Sequence, residues 1–124
     1  MAKRILVAED EPDNRRIVVR VLTAEGYETL EAADGQAALA LARREHPDLI
    51  VMDLAMPGMD GWEAARQLKA DPETADIPIV ALTAFALRGD EERAREAGCC
   101  NGYLSKPCRP KTIREAVARF LAGR

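Results

Sequence analysis

Aromatic residues are scarce in this chain. One Trp, two Tyr and two Phe in 124 residues leave a core to be assembled from Val, Ile, Leu and Ala. Long apolar runs are missing too. The N-terminus, Met-Ala-Lys-Arg, passes straight into the four apolar residues Ile5-Leu6-Val7-Ala8, too short for a signal peptide and far short of a membrane span. Three cysteines, Cys99, Cys100 and Cys108, make neither a disulfide framework nor a paired CxxC metal site; free thiols in a small domain point to a reducing compartment, the cytoplasm. There is no basic excess: 18 Lys and Arg against 21 Asp and Glu give a net charge of -3. A nucleic-acid partner would need a dense cationic face to displace counterions. No repeat, low-complexity tract or Pro/Gly/Ser linker divides the sequence, so residues 1–124 read as one domain.

What is present is an alternation of short apolar runs with longer helical patterns. Ile5-Leu6-Val7-Ala8, Leu49-Ile50-Val51-Met52 and Ile79-Val80-Ala81-Leu82 are continuous apolar runs, the pattern of parallel strands covered on both faces. Residues 28–32 and 102–105 are weaker strand candidates. Between them lie helical stripes: Ile17, Val18, Val21 and Leu22, stopped by Gly26; Ala38, Leu41 and Ala42, between Asp34-Gly35 and Pro47; Ala65 and Leu68 after Gly61; and Ala94 and Ala97 before Gly98. The last stripe opens on Pro110 and runs through Ile113, Ala116, Val117, Phe120 and Leu121. Strand and helix alternating five times predict a doubly wound α/β/α three-layer sandwich with five parallel strands in the order 2-1-3-4-5.

In such a sheet, ligands sit beyond the carboxyl ends of the strands. The first strand ends in Glu9-Asp10-Glu11, the third in Asp53, the fourth in Thr83-Ala84 and the fifth in Lys106-Pro107. The fold would gather Glu9, Asp10 and Asp53 into one pocket, where like charges need a counter-charge or protons. An all-oxygen site suits Mg²⁺, which takes one or two carboxylates, waters and a phosphate. Asp53 would then be a nucleophile towards phosphorus, Lys106 would neutralise charge on the transferred phosphoryl oxygens, and the Thr83 hydroxyl would donate to the product. Taken singly, each residue has a plain role: a loop acid, a helix-opening acid, a strand-end Thr, a surface Lys. The combination on four strand ends of one sheet is what carries the reading.

The segments Ile5-Leu6-Val7-Ala8-Glu9-Asp10-Glu11-Pro12, Val51-Met52-Asp53-Leu54-Ala55-Met56-Pro57-Gly58-Met59-Asp60-Gly61, Ile77-Pro78-Ile79-Val80-Ala81-Leu82-Thr83-Ala84 and Gly102-Tyr103-Leu104-Ser105-Lys106-Pro107 resemble the response-regulator receiver family of two-component signalling, over essentially the whole chain. The resemblance implies that Asp53 accepts a phosphoryl group from the phosphohistidine of a histidine kinase or histidine phosphotransfer protein. It implies Mg²⁺ held by Asp10, Asp53 and the Ala55 backbone carbonyl, with Glu9, at a position often Asp, acting through water or a longer reach. Lys106 would contact the phosphate, with a cis bond to Pro107. Thr83 and Tyr103 match the pair that couples phosphorylation to shape, altering a surface over residues 87–121 for an unidentified protein target or a homodimer contact. Ala55 and Phe85 cannot orient a hydrolytic water by side-chain hydrogen bonds, which predicts slow self-dephosphorylation. The expected role is thus a signalling switch rather than a turnover enzyme, acting alone or as part of a longer regulator or hybrid kinase.

Three other readings of the same pattern ask for different residues. A haloacid-dehalogenase-like phosphatase would place a second acid where Ala55 stands. An interaction module indifferent to phosphorylation would not need the full residue set. A flavin site would want a phosphate-cradling loop after the first strand, where this chain is acidic. His46, the single His, precedes Pro47 at a helix end and reads as a cap, not a phosphohistidine. Trp62 is expected to pack by the third helix, which makes its fluorescence a candidate reporter on the site; Cys99 and Cys100 are assigned no chemistry.

Overall fold

The computed structural model describes residues 2–54, 56, 61–83, 102–105 and 109–122. In chain order these form β1 (Arg4–Ala8), α1 (Pro12–Ala24), β2 (Glu28–Ala32), α2 (Gly35–Glu45), β3 (Leu49–Asp53), α3 (Gly61–Ala70), β4 (Ile79–Thr83), β5 (Gly102–Ser105) and a C-terminal helix (Pro110–Leu121). The strands make one parallel sheet in the order β2-β1-β3-β4-β5, as the alternation of apolar runs and helical stripes predicts. The helix expected around Ala94 and Ala97 lies outside the described residues, as do Phe85 and all three cysteines.

Successive strand side chains point to opposite faces, and the core divides accordingly. Leu6, Ala8, Ile50 and Met52 pack with Ala38, Ala42, Ala64 and Leu68 of α2 and α3. Ile5, Val7, Leu49 and Val51 pack with Val18 and Leu22 of α1 and with Ile113 and Val117 of the C-terminal helix. Burial on both faces is why β1 and β3 read as unbroken apolar runs. The edge strand β2 is buried only at Ala32, which is why its signal in the sequence is weak.

The helix ends follow their local chemistry. Pro12 opens α1, and the Glu11 carboxylate accepts from the Asp13 N–H. At its other end Gly26 takes φ +91°, the Gly26 N–H donates to the Thr23 carbonyl and the Tyr27 N–H to the Leu22 carbonyl, a Schellman closure that a residue with a Cβ adopts only with strain. Asp34 caps α2, accepting from the Ala37 N–H at 2.8 Å. His46 is the exposed, left-handed C-cap of α2, at φ 47°, in keeping with its reading as a cap. One position departs from the sequence reading: Ile17 is 51% exposed. The buried face of α1 centres on Val18 and Leu22 with Val19 and Val21 at its flanks, so Ile17 falls outside it. In the connection from α3 to β4, Lys69 Nζ donates to the Ala75 and Ile77 carbonyls, and buried Thr74 Oγ1 donates to the Leu68 carbonyl at 2.7 Å. Among the described residues no helix is long and apolar enough to cross a membrane.

Candidate functional site

β1 lies between β2 and β3, so the chain leaves it towards one edge of the sheet and later returns on its other side. The crossovers therefore part between the carboxyl ends of β1 and β3, which is where a doubly wound sheet opens a crevice. Glu9 and Asp10 directly follow β1, and Asp53 is the last residue of β3. One carboxylate oxygen from each of the three lies within 4.8 Å of the others. Glu9 and Asp53 are buried, at 1% and 3% exposure, whereas Asp10 is partly open to solvent.

Backbone hydrogen bonds hold this arrangement. The Glu9 N–H donates to the Ala32 carbonyl of β2 at 3.0 Å, and the Leu54 N–H donates to the Leu82 carbonyl of β4 at 3.0 Å. The Gly61 N–H, opening α3, donates to the Leu54 carbonyl at 3.2 Å. Gly61 sits so close to β3 that a Cβ there would lie 2.6 Å from the Leu54 Cα and 2.9 Å from the Asp53 carbonyl carbon. Here only glycine lets two stretches of main chain approach.

An oxygen-only set of this kind fits a hard divalent cation such as Mg²⁺, because carboxylates crowded in a partly dry pocket repel unless a positive charge joins them. The donor chemistry thus agrees with the metal the sequence implies. It offers no thiolate or imidazole for a softer ion.

The remaining candidates fall as follows. Thr83 ends β4, one residue beyond Leu82, which pairs with Asp53; its backbone belongs to the same sheet edge. Tyr103 is on β5 opposite Ala81, half-buried against the α2/α3 side of the core. Trp62, in the first turn of α3, packs against the same cluster. Ala55 and Lys106 lie outside the described residues.

One residue went unmarked in the sequence and the structural role of another went unread. Arg15 of α1 donates from Nη1 to the Glu9 carbonyl at 2.8 Å and from Nε to Glu31 Oε1 at 3.1 Å. Gly61 registers in the sequence as a helix start and as the last residue of the family-like segment from Val51; its approach to Asp53 is tertiary. A glycine where most residues would favour the helix more strongly was the available hint.

Comparison with known proteins agrees with the geometry. The family model for the response regulator receiver domain matches residues 5–118. The polar-differentiation response regulator DivK of Brucella ovis is 42% identical over 121 residues, 98% of each chain. Among solved structures, the receiver domain of a sensor histidine kinase from Pseudomonas aeruginosa PAO1, which has a magnesium ion coordinated in its active site cleft, superposes with a TM-score of 0.90 at 36% identity, covering 98% of this chain and 99% of that one. Chemotaxis protein CheY4 of Vibrio cholerae gives 0.91 at 30% identity, covering 98% and 100%. With the sheet order, the acidic crevice and these likenesses together, the chain belongs to the response regulator receiver domain family of two-component signalling.

Proposed function

We propose that the chain, over residues 1–124, is a Mg²⁺-dependent phosphoacceptor of a two-component phosphorelay, with Asp53 as the acceptor. The single observation that carries this is the convergence of Glu9, Asp10 and Asp53 oxygens within 4.8 Å at the carboxyl edge of the sheet. An Asp53 oxygen attacks the phosphorus of a phosphohistidine on a histidine kinase or histidine phosphotransfer protein; the P–O bond forms as the P–N bond breaks, and the imidazole leaves. Bound Mg²⁺ supplies charge neutralisation for the phosphoryl oxygens. Glu9, Asp10 and the Ala55 carbonyl complete its protein ligands beside Asp53. Lys106 pairs with the phosphoryl oxygens, and the Thr83 hydroxyl donates to the phosphorylated product. Burial of Asp53, 3% exposed as a residue, limits competition by water.

The phosphate biases a two-state surface. Thr83 and Tyr103 relay its arrival, and residues 87–121 present the altered face to a protein target or to a second copy of the chain. The half-burial of Tyr103 is compatible with a ring that takes two positions. On this reading the protein is a cytoplasmic switch that catalyses its own phosphorylation and slow dephosphorylation, and no more.

Intact mass spectrometry after incubation with Mg²⁺ and acetyl phosphate tests this. The expected result is one phosphate on wild type, and none without Mg²⁺ or on Asp53→Ala. No adduct on wild type, together with no binding of beryllofluoride, would replace this reading with an interaction module that ignores phosphorylation.

A further inference from the structure

Arg15 does something the acceptor chemistry alone does not require. It lies on α1, one turn past the acidic loop, and its guanidinium reaches in two directions: Nη1 to the Glu9 carbonyl at 2.8 Å, and Nε to Glu31 Oε1 on β2 at 3.1 Å. Its backbone N–H meanwhile donates to the Glu11 carbonyl at 2.9 Å. The Glu9 carbonyl belongs to the peptide that joins Glu9 to Asp10. Fixing that oxygen fixes the peptide plane, and with it the direction in which the Asp10 side chain leaves the backbone. The preceding peptide is held from the other side, where the Glu9 N–H donates to the Ala32 carbonyl at 3.0 Å. The N–H bond ends on β2 itself and the Arg15 guanidinium also reaches Glu31 of β2, so Glu9 is referenced to β2 as well as to β1. The Arg15 side chain is 21% exposed and that of Glu31 53%, so the bond to the carbonyl is the better shielded of the two.

We infer that Arg15 is a positioning residue for the cation site: it orients the Glu9–Asp10 peptide and thereby sets the affinity of the carboxylate group for Mg²⁺. The inference rests on the metal reading proposed above. Charge and geometry predict opposite signs, which makes it testable. Removing a cation from beside three carboxylates would tighten Mg²⁺ binding if Arg15 acted only through its charge. Removing the group that orients a ligand weakens it, by roughly 10-fold in comparable metal sites.

The experiment is Mg²⁺ titration of the full chain followed by the amide NMR shifts of Asp10 and Leu54, in wild type, Arg15→Ala, Arg15→Lys and Glu31→Gln, with thermal unfolding in EDTA alongside. We expect Arg15→Ala to weaken Mg²⁺ about 10-fold. Arg15→Lys, which keeps the charge and one donor, recovers part of the loss, and Glu31→Gln, which spares the Glu9 bond, stays near wild type. Should Arg15→Ala fail to fold, weakened binding by Arg15→Lys without a lower melting point than Glu31→Gln supports the inference. Mg²⁺ binding by Arg15→Ala that is unchanged or tighter overturns it while leaving the metal reading intact, as does unchanged binding by Arg15→Lys where that variant has to stand in. A wild type that binds no Mg²⁺ overturns both.

Discussion

Replacing Gly61 by Ala places a methyl group 2.6 Å from the Leu54 Cα and 2.9 Å from the Asp53 carbonyl carbon, with the Asp53 carbonyl oxygen nearer still. Carbon atoms rest about 3.5–4.0 Å apart, so the start of α3 and the end of β3 must separate by about 1 Å. None of these neighbours can rotate aside, because all are main chain. Overpacking of this kind costs about 1–3 kcal/mol, and a rigid wall favours the upper half of that range. Ala gains up to about 1 kcal/mol over Gly inside a helix, but at the opening residue only part of that returns. The net destabilisation is about 2 kcal/mol, or roughly 8 °C in melting temperature at about 4 °C per kcal/mol for a domain of this size. Circular dichroism melts in EDTA measure it. The same displacement moves the base of the acceptor, and a misplacement of about 1 Å at a reacting group costs on the order of 100-fold in rate, read as slower adduct formation with acetyl phosphate. A Gly61→Ala protein that melts at or above the wild-type temperature would refute the reasoning, since it would mean that the two backbones are not in enforced contact.

Further outcomes are expected elsewhere. Two ionised carboxylates within 4.8 Å of each other repel by about 3.5 kcal/mol or more at an effective dielectric constant of about 20, so Asp53→Asn should melt higher than wild type in EDTA. Mg²⁺ at ten times its Kd should stabilise wild type by about 1.4 kcal/mol and the variant by less; equal increments would count against Asp53 as a ligand. The Gln67 side-chain amide, and then the Arg66 guanidinium, hold the half-exposed Glu63 carboxyl below its ordinary value of 4.5. A lowered folded-state value means that this contribution to stability is present above the unfolded value and is lost as pH falls through the folded one. NMR titration should therefore give Glu63 a midpoint below 4.5 that rises in Gln67→Ala; an unmoved midpoint contradicts the assigned cause. Thr74→Val removes the donor to the Leu68 carbonyl at a fully buried site and should cost about 1–3 kcal/mol in urea unfolding, whereas a neutral result would mean another donor takes over. Ala55→Asn should lose phosphate faster than wild type; equal lifetimes would remove water orientation as the cause of slow hydrolysis.

Much of this was legible in the chain because double-sided burial leaves a blunt trace. β1, β3 and β4 announce themselves as apolar runs, and the acids at the ends of β1 and β3 name the site edge once the order 2-1-3-4-5 is assumed. What escaped was whatever depends on distance in space. Ile17 shares the helical spacing of its neighbours, yet the sheet meets α1 at Val18 and Leu22; periodicity gives the stripe, and only docking decides where it stops. Arg15 went unread because its partner is a main-chain carbonyl, and every residue has one. The close approach at Gly61 went unread because the wall it faces is formed by residues seven and eight positions earlier, Leu54 and Asp53, and proximity across that interval is tertiary.

All five residues of β3 are buried, between strands on both sides and helices above and below. Amides in such a strand exchange with deuterium only when most of the domain opens. If Asp53 is the acceptor, as proposed above, it is mounted on a strand that opens only with the core, and a phosphate arriving there cannot signal by sliding or melting the strand that carries it. Its energy has to leave sideways, through neighbours drawn towards a fixed point. Sequence change at the periphery can then retune what the signal says while the point of receipt stays the same, a division of labour that lets one acceptor design serve many different messages.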